Sequence, residues 1–347
     1  ALHDLMDAFD GMLIERGTVN SAQKLAALRE NLPFVFFATL AGLLLLLRGR
    51  RWAVMMVTGL RRHQARGIGI WRFVVSLLRI ILPLCGLFLL ATAARQSGYL
   101  GVRGTEIIRL LPIMGLVVFG FRWVSERVFS RDDEEALLLL DQEHRRQARF
   151  YVNGITVVMI VSIITIQILE FELPSAATSA VVAFPFAVLI SFALFRIGQI
   201  LRGYHDAEEE VQDPDEGPRS STLARVVRSF GMGAMAIGIA APLLFAFGYQ
   251  DLADAILRPY VTTLVILGLV MALQRFAADV YGAITGQGIS ARDALMPVFF
   301  GMILLMLATP VLALVWGARL TDLSELWATF SNGFSFLHLG TCRVTHP

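Results

Sequence analysis

The sequence predicts an all-α polytopic membrane protein, with eight transmembrane helices arranged as four like-oriented helical hairpins. Three observations lead there. The 347-residue chain is 56% hydrophobic and 17% charged, with a mean hydropathy of +0.65, whereas soluble domains are about 45–50% apolar and about 25% charged. Its apolar residues fall into blocks of roughly 16–22 residues, each long enough to cross ~30 Å of hydrocarbon as a helix. The blocks are separated by alternating long arginine-rich segments and short ones.

Taken in order, residues 1–31 read as an amphipathic helix and linker, with Leu5, Met6, Phe9, Met12 and Leu13 as its apolar positions. The eight-span array then occupies 32–316, with spans at 32–47, 73–94, 107–124, 151–170, 181–201, 229–248, 260–275 and 295–316. The connections at 48–72, 122–150, 202–228 and 275–294 are long; those at 95–106, 171–180 and 249–259 are brief. The long connections hold 19 basic residues, the opposite side nine, and two more, Arg79 and Arg196, lie within spans. By the positive-inside rule the long connections face the cytoplasm and both termini lie outside, which in a bacterium is the periplasmic side of the inner membrane. Spans one, three, five and seven begin at intervals of about 75, 74 and 79 residues, so four similar units lie side by side, without an evident repeat of individual residues. Every backbone polar group is then satisfied inside its own helix.

The segment 48–72 places Trp52 among Arg48, Arg50, Arg51, Arg61 and Arg62. That pattern suits an interfacial helix with its arginines on lipid headgroups, and makes the bilayer the first partner. Residues 132–149 are expected to form a helix in which Asp141 precedes Arg145 by four positions, a favourable pairing. The acidic stretch 206–218 reads as a solvated loop; Asp213, Asp215 and Gly217 match a calcium loop poorly, with Pro214 intervening.

Ionisable residues inside spans are the default functional candidates. Arg79 and Arg196, with Arg109 and Arg275 at span edges, can all snorkel to a headgroup layer. No Asp or Glu falls deep in a predicted span, and Asn153 and Gln167 are the amides clearly inside. That weighs against a proton- or sodium-coupled transporter. Prolines 83, 112, 185, 242, 297 and 310 fall in spans. Gly231, Gly233 and Gly238, with Ala234, Ala236, Ala240 and Ala241, give the sixth span a small-residue face suited to close helix packing. The sequence carries no H-E-x-x-H, Walker loop or nucleophile elbow. It is not expected to be an enzyme, nor to hold a metal or cofactor or bind nucleic acid. Cys85 and Cys342 are too far apart in this topology to pair.

The segment "TDLSELWATFSNGFSF" (321–336) following an even set of hairpins resembles the large, multi-span branch of the MscS-like, small-conductance mechanosensitive channel superfamily. Leu326, Trp327, Phe330, Gly333 and Phe334 match that branch's L-W-x-x-F-x-x-G-F pattern. In the family this segment lies outside, between the added spans and the channel core, as the arginine count also places 317–336 here. The resemblance implies a homo-oligomer, a heptamer, gated by tension, permeated by ions and acting in osmotic protection. It also implies a pore helix and a cytoplasmic β domain, neither of which any position here matches. The chain opens on Ala1 without a leader pattern, so it reads as a piece of something longer. Residues 337–347, "LHLGTCRVTHP", read as a truncated or aberrant tail where the family begins another span. Two other readings stay open: a secondary transporter or exporter, and a non-transporting scaffold subunit.

Overall fold

The computed structural model describes residues 21–61, 68–97, 102–131, 137–138, 140–170, 176–211, 219–285 and 295–331. Among these it is built of α-helices joined by turns: α1 (Ser21–Arg61), α2 (Ile68–Gln96), α3 (Val102–Val128), α4 (Gln142–Glu170), α5 (Ala176–Val211), α6 (Arg219–Ala246), α7 (Gln250–Thr285), α8 (Leu295–Val315) and α9 (Leu320–Ser331). The first eight are each long and apolar enough to cross a membrane. This is a multi-pass membrane protein. The part of the amphipathic segment at 1–20 lies outside the described residues, as do 332–347.

Four expectations change. The acidic stretch 206–218, expected as a loop, is helical as far as Val211 at the end of α5, and 212–218 lie outside the described residues. The interfacial helix expected over 48–72 is not a separate element, because α1 continues without a break from Ser21 to Arg61. A helix need not stop where hydrocarbon does, and nothing between Gly49 and Arg61 breaks it: no proline and no capping sequence. The helix expected over 132–149 begins only at Gln142. Leu138 and Leu140 are instead buried in the core, and Asp141 stands as the residue before the helix, its carbonyl accepting from the Arg145 amide at 3.0 Å. The seventh span is longer than 260–275, since α7 runs from Gln250 to Thr285. Asp254 and Arg258, expected in a short connection, are therefore helical and form an i,i+4 ion pair at 2.9 Å.

Contact between the helices is uneven. The consecutive pairs α1–α2 and α5–α6 pack most extensively, while α7 meets α8 and α6 and also reaches α3, α2 and α5. The array is thus not a plain row of equal hairpins. In both extensive pairs the helices touch backbone to backbone. A methyl group on Gly86 would sit 2.7 Å from the Gly42 carbonyl oxygen, and one on Gly238 would sit 2.8 Å from the Ser191 carbonyl oxygen. The two sites correspond. Ala38, Gly42 and Gly49 on α1 are spaced as Ala187, Ser191 and Gly198 on α5, and all six are buried. Position 42 maps to 191, 149 residues on, and position 86 to 238, 152 residues on. The first and third hairpins therefore share a packing register that the sequence alone does not display. Lipid tails are as apolar as leucine, so such approach is driven by van der Waals contact and not by water exclusion.

The small-residue face of α6 divides by function. Gly231 and Gly238 admit α5, Gly233 admits the Tyr260 phenol of α7, and Ala236 and Ala240 face outward. The helices α6 and α8 end alike: Gly248 and Gly317 adopt φ of 89° and 95°. In each case the following residue's amide reaches back five positions, Tyr249 to Leu244 and Ala318 to Ala313, both at 2.9 Å, which is the Schellman stop that favours glycine.

Gly198→Ala would drive a methyl to 2.6 Å from the Gly231 carbonyl oxygen and 2.9 Å from the Met235 amide. Overpacking against backbone should cost about 1–3 kcal/mol. Gly154→Ala meets nothing within 4 Å and should instead stabilise by up to ~1 kcal/mol. Thermal unfolding of both variants in one detergent checks the sign of each; a neutral Gly198→Ala would refute the close-packed register.

Candidate functional site

The middle of the bundle is organised on α7. At one of its faces the Phe276 ring stacks on Phe73 of α2 at 3.9 Å, and Phe73 meets Trp123 of α3 edge-on at 5.7 Å. The Ser76 hydroxyl of α2 accepts from Trp123 Nε1 at 2.6 Å and from Arg127 Nε at 3.2 Å, with the Arg127 guanidinium over the Phe73 ring. Tyr260 donates to the Phe230 carbonyl of α6 at 2.5 Å. Trp316, just past α8, donates to Thr263 Oγ1 at 3.0 Å. Each of these polar atoms is thus paired across a helix boundary, as burial away from water requires.

Three cavities follow one another along α4. At its start, Arg131, Asp141, Gln142, Glu143, Arg146 and Arg149 enclose a mixed-charge cleft of about 440 Å³. Next comes an apolar chamber of about 230 Å³, walled by residues of α3 to α8 and of the turn after α3, among them Phe129, Leu138, Val152, Ile155 and Val265. No residue in its wall carries a polar side chain. Beyond it a cleft of about 310 Å³ between α4, α5 and α7 includes Ser162, Gln167 and the Asp254–Arg258 pair. Val261 borders both of the last two. A chamber of this character stays dry, since an apolar void of about 150 Å³ already excludes water and accepts apolar guests.

The mouth and the chamber are tied together by α4. Arg145, Arg149 and Val152 recur at four- and three-residue steps and so share one helix face. Arg145 is 4% exposed. Arg149 Nη1 donates to the carbonyl of Phe129, a residue whose ring lines the chamber.

The lipid-contact residues expected from sequence are dispersed along other elements. Arg48 and Arg51 are exposed on α1 and Trp52 is half-buried there. Arg50 and Arg61 lie on the same helix, their side chains outside the description, and Arg62 lies outside the described residues altogether. Arg79 is exposed on α2. Arg196 on α5 donates to the Tyr151 hydroxyl of α4 at 3.1 Å and to Gln199 Oε1 at 2.8 Å, with the Tyr151 ring beneath it. Arg109 pairs with Glu106 at 3.3 Å. Leu326, Trp327 and Phe330 fall on α9, and Gly333 and Phe334 lie outside the described residues. None of those among the described residues lines the three cavities. Asp141, Arg146 and Arg149 fall within the helix expected over 132–149 and Arg131 just before it, and none of them is a site candidate in the sequence; the cavities have no signature in a linear pattern of apolar residues.

Comparison of the chain with family models, with characterised proteins and with solved structures gives no match. Among the described residues no group of three His, Cys, Asp or Glu is placed to hold a metal ion.

Ser76→Ala removes the acceptor shared by Trp123 and Arg127 and leaves the indole N–H of a residue only 6% exposed without it. The expected loss is about 1 kcal/mol, with altered Trp123 fluorescence; thermal melts and emission spectra read both, and unchanged values would show that this contact does not hold α2 to α3.

Proposed function

We propose that this chain is the membrane-embedded, tension-responsive region of a mechanosensitive ion channel of the MscS-like kind, set in a bacterial inner membrane with both its termini on the periplasmic side. The carrying observation is low internal burial. Within the most apolar window of each span only 11–33% of residues are fully buried, least in α8 and most in α7, and in α1 and α8 most of the span residues are exposed. Large apolar side chains cover that surface, among them Phe37, Leu47, Phe88, Ile113 and Met306. Tension favours whichever state occupies more membrane area, and a broad, lipid-facing array can differ in area between two packings of its helices. Rigid pairs such as α1–α2 and α5–α6 would move as units against the less tightly joined ones. The family link rests on the Leu326–Phe334 pattern, whose first residues fall on α9, a short helix set apart from the last span by the Gly317 stop. Homo-oligomers, ions as permeants and a role in osmotic protection follow from that link.

The row of cavities along α4 favours the exporter reading, because a translocated molecule needs successive sites. The apolar chamber in the middle of that row argues against passage of a polar solute.

Two measurements test the proposal, each in a Cys85→Ser, Cys342→Ser background. In intact cells, Trp327→Cys should react with impermeant maleimide from outside and Arg146→Cys only after the cytoplasm is opened; the reverse pattern sinks the topology and the family kinship with it. In giant vesicles under micropipette aspiration, fluorophores at Phe37→Cys and Met306→Cys should show a reversible change in energy transfer as tension rises. Constant transfer up to rupture would remove the sensing role.

A further inference from the structure

We propose that the mixed-charge cleft and the adjoining apolar chamber together form a binding site for one aminophospholipid, of the phosphatidylethanolamine type. One acyl chain occupies the chamber and the headgroup occupies the cleft. The site is independent of whether the array responds to tension.

The chamber supplies the first half of the argument. It is dry by composition and about 230 Å³ in volume, so only an apolar guest or mutual collapse can fill it. It also opens sideways. Val226 and Leu305 form part of its wall yet are 46% and 50% exposed, so a chain can enter from the bilayer between α6 and α8 without crossing a polar barrier.

The cleft supplies the second half. Arg149 anchors the rim by its bond to the Phe129 carbonyl, while Phe129 and Leu138, both between α3 and α4 in the chain, line the chamber. Val152 in the chamber is one helical turn from Arg149 in the cleft, a separation of about 4.5 Å along the axis, which a glycerol backbone bridges. Around the cleft stand Arg131, Arg146 and Arg149, suited to a phosphate, and Asp141 and Glu143, suited to an ammonium group. Glu143 is held only loosely, 3.9 Å from Arg146, and also accepts from Gln147 at 3.2 Å.

The balance of charge selects the headgroup. The cleft is lined by three arginines and two carboxylates. An anionic headgroup meets the arginines alone and is repelled by Asp141 and Glu143, whereas a zwitterion can address both signs at once. A primary ammonium also donates hydrogen bonds to Asp141 and Glu143, which the quaternary group of phosphatidylcholine cannot do.

The test is lipid titration of the delipidated full chain in detergent, read by native mass spectrometry, with dioleoyl phosphatidylethanolamine, phosphatidylcholine and phosphatidylglycerol as probes. One phosphatidylethanolamine per chain should be retained roughly tenfold more tightly than either of the others. Asp141→Asn with Glu143→Gln should reduce phosphatidylethanolamine to the level of phosphatidylcholine and leave the latter unchanged. Arg131→Gln with Arg146→Gln, both exposed and free of structural bonds to the backbone in the described contacts, should weaken all three lipids by about fivefold for each arginine. Val265→Phe, which fills the chamber, should weaken all three while leaving the helical circular dichroism intact. Equal retention of the three lipids, unaffected by the carboxylate pair, would reduce the site to ordinary annular lipid and overturn the proposal. Displacement of the lipid by soluble glycerophosphoethanolamine at equal concentration would overturn the role of the chamber.

Discussion

The approach of one helix backbone to another is the constraint on which this structure depends. Inside a bilayer the backbone is already satisfied within each helix, and apolar side chains gain little by leaving lipid for protein. Cohesion must come from contact at short range, and contact at short range requires that side chains be absent. Gly42 against Gly86, and Ser191 against Gly238, meet that requirement at corresponding points of the first and third hairpins. The buried core accordingly includes many alanines, such as Ala53, Ala148, Ala224, Ala234 and Ala253, all at 1% exposure or less.

Around these tight pairs the remaining contacts are made by larger side chains, which leave space. The aromatic stack of Phe73, Phe276 and Trp123 closes one end of α7, and Tyr260 and Trp316 pin it to α6 and α8. Between those fastenings, where α3 to α7 converge, valine, leucine and isoleucine fill the interior incompletely and the apolar chamber results. The charged cleft arises for a related reason. Because Leu138 and Leu140 are buried just before α4 begins, the helix starts late, and Arg145 in its first turn is drawn into the core while Arg146 stays exposed.

Much of the architecture was legible in the sequence. Span number and approximate position follow from hydropathy alone, since twenty apolar residues have few other stable fates. Span length was less legible: Asp251, Asp254 and Arg258 lower the apolar signal at the start of α7 yet continue its helix, because ion pairs at i,i+4 cost a helix nothing. Leu138 and Leu140 misled in the opposite sense, as the leucine-rich composition around them fits a helix while both are buried in the core ahead of Gln142, where the helix begins. The small-residue face of α6 was correctly read as a packing surface, but that it serves two partners, α5 and Tyr260, is a fact of three-dimensional placement. The cavities were not legible at all. Their walls come from six helices, and a void is defined by what side chains fail to reach.

The length of α1 carries its own implication. At 41 residues it spans about 60 Å, roughly twice the hydrocarbon thickness, with its arginine-bearing stretch beyond Gly49 continuing the same axis for about 18 Å. A rod so built is a lever with its fulcrum at the membrane boundary. If a thinner bilayer leans it by about 20°, its arginine-bearing tip swings sideways by about 6 Å, turning a change in thickness along one direction into travel along another.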